Sequence, residues 1–565
     1  MPLLLGAVLG AVLGLSNIYA GLKLGIAFPV ASTAAVLGQA VNRTLRRVRP
    51  RASPLGLDGL VSLQSTASAA GYSTGSALVS SSAAYLIIVG HHPSLPVLML
   101  WTFLLAALGV LVAAPLRRPF IDVEQLPFPS GTAAAVTLRA LEGETGVERG
   151  LGRRLTLAGV FAAAVAWGRD GLGWIPAALA LPGSLFGVPL AALTFSLETG
   201  LVSLGAGALM GLRTTASMVL GAVLCFGILA PALHAHGMLP VVGFVELLPV
   251  SLWVGTALLT GASLTHLLFQ RQAIVRGLRG VLPPRGVERA SSREEIPARW
   301  LLVGLGMVTP AIVVLAWFAF GVTPGLGLLA VALAAVLCVV SCRVTGETDV
   351  TPAGPLVQGT QLVFGLLAPA NAVASLMTAG ITATSAAAGA DLLTDLKTGA
   401  LLGASPRRQF VAQLWGAVVG ATVVVPAFVA LVGSPSVLGT SHFPAPGAQM
   451  LVGFSRVMSS GWSAISGPAR AGMAAGLVMG ALLTWAEARA PQRARAWIPS
   501  ALGLGLAFLI PASTSFSFFL GGAVAQGLGR FRPAFAEQNV LPVASGLIVG
   551  EGLAGVLIAL RSVLF

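Results

Sequence analysis

The stretch LPVLMLWTFLLAALGVLVAAP, which runs from Leu95 to Pro115, contains no charged residue. An α-helix needs about 20 apolar residues to cross the hydrocarbon core of a bilayer, and this stretch has that length. Similar runs recur along the whole 565-residue chain and predict about 16 transmembrane helices. The chain is 56% hydrophobic and 9% charged, whereas a soluble domain carries about 25% charged residues. We therefore predict an all-α polytopic membrane protein.

The positive charge of the chain lies mostly between the apolar runs. A formal net charge of +14 would suggest nucleic-acid binding in a soluble protein, but here the arginines cluster in loops, so no nucleic-acid partner is expected. Loops rich in Lys and Arg tend to face the cytoplasm. Two spans precede the first cluster, which predicts a cytoplasmic N-terminus in the plasma membrane (in a bacterium, the inner membrane). The three clusters are Arg43 to Arg51, Arg271 to Arg299 and Arg489 to Arg495.

Two related, pseudo-symmetric halves are predicted, residues 1–269 and 299–565, joined by a basic cytoplasmic linker of residues 270–298. FPSG at Phe128 returns as FPAPG at Phe443, an offset of 315 residues, and GLRTTASMVLGAVL at Gly211 resembles GLIVGEGLAGVL at Gly546, an offset of 335. The short pieces that begin at the Phe-Pro motifs predict broken or re-entrant helices. Duplicated segments interrupted by Gly and Pro indicate a secondary transporter. Parallel and inverted repeats both remain open.

The two lysines of the chain, Lys23 in GLKLG and Lys397 in DLKTG, both lie in long apolar sequence. A lysine at a helix centre costs roughly 2.5 to 3.5 kcal/mol on insertion, so it indicates a functional site. The alternatives are that a GC-rich genome makes lysine scarce, and that a lysine near a helix end reaches the interface at little cost. Tyr19 precedes Lys23 by four residues, which makes it a helical neighbour.

The lysines are 374 residues apart, outside the register of 315 to 335 that relates the halves. In that register Lys23 falls opposite a segment that contains Glu347 and Asp349. Lys397 falls opposite a segment that contains Gln64. The two lysines are therefore predicted to be different components of one central site.

Acidic residues supply further candidates for proton coupling or substrate binding. If GETDVTP, residues 346–352, is extended, Glu347 and Asp349 point the same way and could converge on one proton or cation; the alternative is an ordinary loop with two solvated acids. Asp391 and Asp395 share one helical face, where like charges are unfavourable, so one of them is expected to carry a proton. Lys397 would point away from Asp395 unless the helix breaks locally.

Glu198 and Glu551 each stand alone in apolar sequence and are read as proton relays or as capped structural acids. Arg213 is read as their partner, as a ligand for an anionic substrate group, or as an arginine that reaches outward from a helix end. The three cysteines, Cys225, Cys338 and Cys342, are interpreted as packing thiols. No HExxH or GxxxxGK[ST] motif occurs, so no enzyme, metal site or cofactor is expected, and uphill transport would draw on an ion gradient.

Six motifs occur in an order that resembles the oligopeptide transporter superfamily, which includes the yellow stripe-like carriers, and a prokaryotic member is expected. The resemblance runs from about residue 11 to SGLIVGEGLAGVL near the C-terminus. The motifs are NIYAGLKLG, LQSTASAAG, PLRRPFIDVEQLPFPSGTAAA, GLRTTASMVLGAVL, GETDVTP and DLKTGALLGASPRRQFVAQLWG.

This resemblance implies a proton-coupled symporter that imports short peptides or metal complexes of small amino-acid-derived chelators. The chain departs from the family pattern in its short termini, its compact linker and Asp58-Gly59-Leu60 ahead of the glutamine motif, so the substrate class does not carry over. The positions that match the family motifs are Asn17, Tyr19, Lys23, Gln64, Glu347, Asp349, Asp395, Lys397 and Gln413.

Three functions follow as hypotheses. The first is a proton-driven importer of oligopeptides or related amino-acid-derived compounds. The second is an importer of metal complexes of siderophore- or nicotianamine-like chelators, in which the metal arrives already bound. The third is an ungated channel or a structural membrane scaffold. The expected partners are the substrate, protons and membrane lipid, and the oligomeric state is open.

Overall fold

The computed structural model describes residues 1–24, 33–35, 37–39, 41–42, 55–73, 77–142, 147–269, 295–348, 351, 353–368, 371–440, 442–460 and 467–564. These residues are almost wholly helical, which confirms the predicted all-α polytopic class. The helices are α1 (Pro2–Leu24), α2 (Leu57–Ser68), α3 (Ala83–Val89), α4 (Leu95–Ala113), α5 (Pro129–Glu142), α6 (Val147–Ala166), α7 (Leu201–Met210), α8 (Leu212–Ala222), α9 (Ala230–Ala235), α10 (Phe244–Phe269), α11 (Ala298–Phe320), α12 (Pro324–Thr348), α13 (Ala353–Leu367), α14 (Ala372–Leu402), α15 (Pro406–Val419), α16 (Val425–Leu431), α17 (Pro446–Ser460), α18 (Gly467–Arg489), α19 (Gln492–Arg495), α20 (Ala501–Ala507), α21 (Ala512–Phe531) and α22 (Pro533–Leu564).

Ten spans within the described residues are long and apolar enough to cross a membrane. The predicted count of about 16 is not confirmed. The apolar run from Ala501 to Leu520 is divided between α20 and α21, and three apolar helical stretches within the described residues, Leu78–Val89, Leu201–Met210 and Leu356–Leu367, are shorter than these spans. The least buried spans are α11 and α18, with 17% and 11% of their apolar windows inside the protein, so most of their surface lies on the outside of the helix bundle.

Short π-helical segments interrupt or extend many of the helices. Such π-bulges are rare and occur frequently at functional sites. Two of them adjoin the polar clusters described below: Ala69–Ser73 directly follows α2, and Trp167–Gly171 directly follows α6. The others are Leu78–Ser82, Arg118–Val123, Val223–Leu229 and Gly420–Val424.

A small β insertion separates α6 from α7. Strand β1 (Ala178–Ala180) pairs antiparallel with β4 (Ser196–Glu198), so that Ala178 lies opposite Glu198. Inside this pair, β2 (Ser184–Leu185) and β3 (Val188–Pro189) form a second antiparallel pair. The insertion places Glu198 immediately before the first turn of α7.

The helices pack into two lobes, each made of two separate stretches of chain. Lobe 1 contains α1–α5 and α11–α17, with main contacts between α12 and α14 and between α1 and α2. Lobe 2 contains α6–α10 and α18–α22, with main contacts between α10 and α18 and between α6 and α22. The lobes meet chiefly where α1 packs along α22, and also where α10 lies beside α13 and α17.

One end of the molecule, called the linker end here, gathers the start of α1 and the start of α11. Pro2, Ser405 and Arg407 line a common cavity of about 510 Å³. The guanidinium of Arg407 lies 4.5 Å from the ring centre of Trp300, which follows the basic linker. Lys23 lies 21 residues beyond Pro2, about 32 Å along α1, and is therefore near the opposite end.

Candidate functional site

Two buried polar clusters contain most of the predicted site residues. The first, the carboxyl–amide cluster, is made of side chains that three helices of lobe 1 present one turn apart. These residues are Gln64 and Ser68 on α2, Asp391 and Asp395 on α14, and Gln409 and Gln413 on α15. Residues four apart on a helix lie on one face, so each helix contributes two side chains to the cluster.

Hydrogen bonds from both flanking helices hold the two aspartates. Gln64 Nε2 donates to Asp395 Oδ1 at 3.1 Å. Asp391 accepts from Ser68 Oγ at 2.6 Å and from Gln413 Nε2 at 2.9 Å. The sequence analysis named Gln64, Asp391, Asp395 and Gln413, and the structure brings all four together.

The carboxyl–amide cluster has more buried acceptors than donors. Asp395, Gln64, Gln409 and Gln413 are each 0% exposed. One carboxyl oxygen of Asp395, Oδ2, and the amide oxygens of the three glutamines have no hydrogen-bond partner among the described residues. Buried acceptors without partners are costly, which makes this cluster a place for an additional proton or cation.

Sequence reasoning missed Gln409. Its Nε2 donates to the backbone carbonyl of Asp395 at 2.7 Å and reaches Ser65 Oγ at 3.4 Å. Gln409 lies one helical turn before Gln413, so the i, i+4 spacing of two glutamines in an apolar helix was the available signal.

The second cluster, the interlobe charge cluster, consists of Lys23, Arg169, Asp170, Glu198 and Glu551. Lys23 Nζ lies 2.6 Å from Glu198 Oε1 and 3.5 Å from Glu551 Oε1. Arg169 Nη2 lies 2.9 Å from Glu551 Oε1 and 2.6 Å from Asp170 Oδ2. The side chains of Lys23, Arg169 and Glu551 are at most 5% exposed. Charges at this depth persist only when they are paired.

The start of α7 completes the surroundings of Glu551. Its Oε2 accepts from the backbone N–H of Val202 at 2.8 Å and from that of Leu201. A helix N-terminus stabilises an anion through its free N–H groups and its dipole. Ser203 Oγ donates to Glu198 Oε2 at 3.1 Å. The interpretation of both glutamates as capped structural acids therefore has a geometric basis.

Arg169 and Asp170, in the π-helical turn after α6, were not predicted. Burial opposes ionisation of Asp170, but the two hydrogen bonds from Arg169 outweigh burial and hold the pKa of the carboxyl group below its usual value. The available signal was an adjacent Arg-Asp pair directly after an apolar run.

Tyr19 and Asn17 precede Lys23 on α1. Tyr19 is 1% exposed, its ring packs edge-on to Phe443 at 5.5 Å, and its hydroxyl has no hydrogen-bond partner in the described part of the chain. Asn17 Nδ2 donates to the carbonyl of Gly71 at 3.0 Å, which fixes α1 against the π-helical turn after α2. Tyr19 thus borders the interlobe charge cluster, and Asn17 connects two helices of lobe 1.

Other sequence-based interpretations receive corrections. Arg213 is not the partner of Glu198 or Glu551, because its Nη1 lies 2.6 Å from Glu487 Oε1. GETDVTP is not extended at Glu347, since α12 continues through Thr348; Pro352 restricts only the residue directly before it.

Two of the predicted site residues, Lys397 and Asp349, are not placed in either cluster. Lys397 is half-buried on α14, and no ion pair of Lys397 occurs among the described residues. Asp349 lies outside the described residues.

The three cysteines of the chain are buried in its apolar interior. Cys225, Cys338 and Cys342 are buried free thiols, and Cys338 Sγ lies 3.3 Å from the carbonyl of Ser385. No group of three or more His, Cys, Asp or Glu side chains that could hold a metal ion occurs within the described ranges.

Known families and proteins resemble this chain over most of its length. Residues 2–561 match the family model described as OPT oligopeptide transporter protein. A putative oligopeptide transporter of Haemophilus influenzae is 25% identical, with 96% of this chain and 92% of that protein aligned. A probable metal-nicotianamine transporter of Oryza sativa subsp. japonica is 26% identical over 80% of this chain and 70% of its own. A metal-nicotianamine transporter of Arabidopsis thaliana is 24% identical over 80% and 73%.

Proposed function

Since the chain belongs to the OPT oligopeptide transporter family, we propose that it is a proton-coupled symporter. Its proposed substrates are short oligopeptides or related amino-acid-derived compounds, imported across the plasma membrane with the linker end in the cytoplasm. The observation that carries the coupling proposal is the carboxyl–amide cluster, and Asp395 is its proposed proton carrier.

The environment of Asp395 favours a group that gains and loses a proton. The side chain is wholly buried, and no basic side chain among the described residues forms an ion pair with it. An ionised carboxyl group in such a place is strongly unfavourable unless it is paired. Neutralisation by a proton removes that cost, and hydration of the site would restore the charge.

The surplus of acceptors supports the same assignment. A proton on Asp395 Oδ2 would turn one unpaired acceptor into a donor. Three amide oxygens, those of Gln64, Gln409 and Gln413, are buried without described partners and could receive it after small side-chain rotations. Asp391, half-buried and held by Ser68 and Gln413, is the neighbouring acid whose charge would depend on that proton.

The cavity at the linker end supports the proposal of a proton route from Asp395 to one side of the membrane. Asp58 and Ser62 on α2, with Ser405 and Arg408 at the start of α15, line this cavity of about 510 Å³. The same two helices carry Gln64 and Gln409 in their next turn, so water in the cavity would lie close to Asp395.

A second candidate function is the import of metal complexes of siderophore- or nicotianamine-like chelators. The metal-nicotianamine transporters of rice and Arabidopsis, each aligned over 80% of this chain, favour it. Both substrate classes are amino-acid-derived, and competition between a tripeptide and a nicotianamine complex for uptake would separate them.

The coupling proposal is tested in proteoliposomes loaded with a pH-sensitive dye. With an inward proton gradient, addition of a tripeptide to the wild-type protein should acidify the lumen and drive accumulation of the labelled peptide. Asp395→Asn keeps the shape and hydrogen bonds of the side chain but cannot release a proton. We expect this variant to lose gradient-driven accumulation while the peptide still raises its melting temperature.

Glu487→Gln is the matched control, because it neutralises a half-exposed acid that pairs with Arg213 far from the carboxyl–amide cluster. It should transport like the wild type. Uptake that ignores both the gradient and the Asp395→Asn change would refute the coupling proposal.

A further inference from the structure

We propose that the interlobe charge cluster is the binding site for the two charged ends of a zwitterionic substrate. When the lobes part, Lys23 of lobe 1 takes the carboxylate of the substrate, and the acids of lobe 2 take its ammonium group. This inference rests on the proposed function and identifies the substrate chemistry that the site recognises.

The first observation is that Lys23 pairs across the lobe interface. Its two ion pairs, to Glu198 and Glu551, join α1 of lobe 1 to lobe 2. Six further ion pairs of the described residues each lie within one lobe. These are Arg117–Asp122, Arg343–Glu124 and Arg408–Asp58 in lobe 1, and Arg169–Asp170, Arg169–Glu551 and Arg213–Glu487 in lobe 2.

The second observation is the charge that each lobe brings. Lobe 1 contributes one cation, Lys23, whereas lobe 2 contributes one cation, Arg169, and the three carboxylates of Asp170, Glu198 and Glu551. If the lobes separate, the face of lobe 1 at this cluster therefore carries a formal charge of +1, and the face of lobe 2 carries −2. A buried charge that loses its partner is strongly destabilising, so each face needs an opposite charge before the lobes can part.

Spare hydrogen-bond donors provide the third observation. The residue Tyr19 is 1% exposed and the side chain of Arg169 is 3% exposed, yet the Tyr19 hydroxyl and Arg169 Nη1 have no hydrogen-bond partner among the described residues. Tyr19 lies one helical turn before Lys23, so its hydroxyl and the ammonium group of Lys23 form a donor pair on lobe 1. Two adjacent donors of this kind suit the two oxygens of a carboxylate.

The cluster is closely packed around Gly200 in the present arrangement. A Cβ built on Gly200 would lie 2.8 Å from Lys23 Nζ, 3.0 Å from Glu198 Oε1 and 3.3 Å from Arg169 Nη1. Glu198 and Glu551 therefore act as internal substitutes for the substrate carboxylate while the lobes are together. The carboxylate of a zwitterionic substrate replaces these two glutamates as the partner of Lys23 on lobe 1, and its ammonium group neutralises the glutamates on lobe 2. A simple anion or cation would neutralise the charge of only one lobe.

The experiment compares three forms of one tripeptide as competitors of labelled trialanine uptake in proteoliposomes: the free peptide, its C-terminal amide and its N-acetyl derivative. The wild type should bind each blocked form at least tenfold more weakly than the free peptide. Lys23→Met should no longer distinguish the amide from the free peptide but should still reject the acetylated form. Glu198→Gln should show the reverse pattern.

Two further variants complete the design. Lys23→Arg keeps the charge and should restore rejection of the amide, which a purely structural role of Lys23 would not produce. Arg213→Gln, which breaks an ion pair within lobe 2, should keep both preferences. If the wild type transports the free peptide, and both blocked forms compete as strongly as the free peptide, this inference is overturned while the proposed function stands. Absence of any peptide uptake by the wild type contradicts the proposed peptide import and removes the inference with it.

Discussion

Gly200 lies against three charged groups of the interlobe charge cluster, two residues after the end of β4 and directly before α7. Its φ of −71° is available to any L-residue, so a substitution meets only the crowding by Lys23, Glu198 and Arg169. The nearest atom is the tip of a flexible lysine, which can move away. A side chain at this position would therefore disturb the charge pairing more than the fold.

We expect Gly200→Ala to reduce uptake about tenfold or more, because a loss of roughly 1.4 kcal/mol in the free energy of substrate binding corresponds to a factor of ten in affinity. The melting temperature should fall little. Uptake rates and thermal unfolding of the purified variant check this. Gly359→Ala is the control, since a Cβ there meets nothing within 4 Å. Equal uptake by both variants would show that the packing at Gly200 has no influence on the cluster.

The sequence predicted single site residues where a charge interrupts an apolar run. Lys23, Asp395 and Glu551 stood out in this way, and the structure places each in a buried polar cluster. Partners could not be predicted, because Gln64 and Asp395 are 331 residues apart in sequence. Arg169 was missed, since it follows a helix end, where an arginine is ordinarily exposed.

Helix pairs in this protein approach each other through glycines. On α18, Gly476 and Gly480 face Val254 and Leu258 of α10, four residues apart on both helices. A Cβ on Gly480 would overlap the backbone carbonyl oxygen of Leu258. Small residues at four-residue spacing allow such close packing in lipid, where helices gain little from the hydrophobic effect.

We expect Gly480→Ala to destabilise the protein by about 1 to 3 kcal/mol, the usual cost of overpacking, because the neighbouring atom is backbone and cannot rotate away. Thermal unfolding in detergent measures the effect. Gly467→Ala, at the exposed start of the same helix with nothing within 4 Å, should unfold like the wild type. A similar loss in both variants would mean that helix propensity, not interhelical contact, decides the result.

Hydropathy predicted where apolar segments lie but not where helices break. The apolar stretch from Pro189 to Met210, for example, contains part of the β insertion and α7. Breaks depend on contacts distant in sequence, such as the Val202 N–H that Glu551 receives. By contrast, the Phe-Pro pieces could be predicted to be broken or re-entrant helices, because proline is a local signal, and the short helices α5 and α17 each begin at a proline.

Two loops, one in each half of the chain, make equivalent backbone hydrogen bonds to the other half. The N–H of Phe128 donates to the carbonyl of Gly346 at 2.9 Å, and the N–H of Ala445 donates to that of Leu22 at 2.8 Å. Both donors have a positive φ, 39° and 46°, and both precede a proline that begins a short helix. The donors are 317 residues apart (445 − 128) and the acceptors 324 (346 − 22), within the register predicted for the halves.

These contacts support the proposed duplication and indicate its direction. Leu22 lies near the end of α1 opposite the linker end. Gly346 lies near the end of α12, which returns to the linker end after α11 has crossed away from it. If α1 and α12 are equivalent, they run in opposite directions, and we propose that the repeats are inverted. In this register Lys23 corresponds to Glu347.

Single cysteines test the inverted arrangement. Val123→Cys, in the π-helical turn before Phe128, should react with an impermeant maleimide from the side of the linker. Ser436→Cys, in the loop before Ala445, should react from the opposite side. Both positions are exposed, whereas the three native cysteines are buried. Labelling of both from one side would contradict inverted repeats.

The division into lobes differs from the division into halves, which stays a prediction. The chain passes from one lobe to the other after Glu142, after Phe269 and after Ser460. Neither lobe is therefore complete until most of the polypeptide has been made. During synthesis, the helices of the first half must therefore stay in the bilayer before the helices that they pack against have been made. A protein cut in the linker could be active only if both fragments are supplied together.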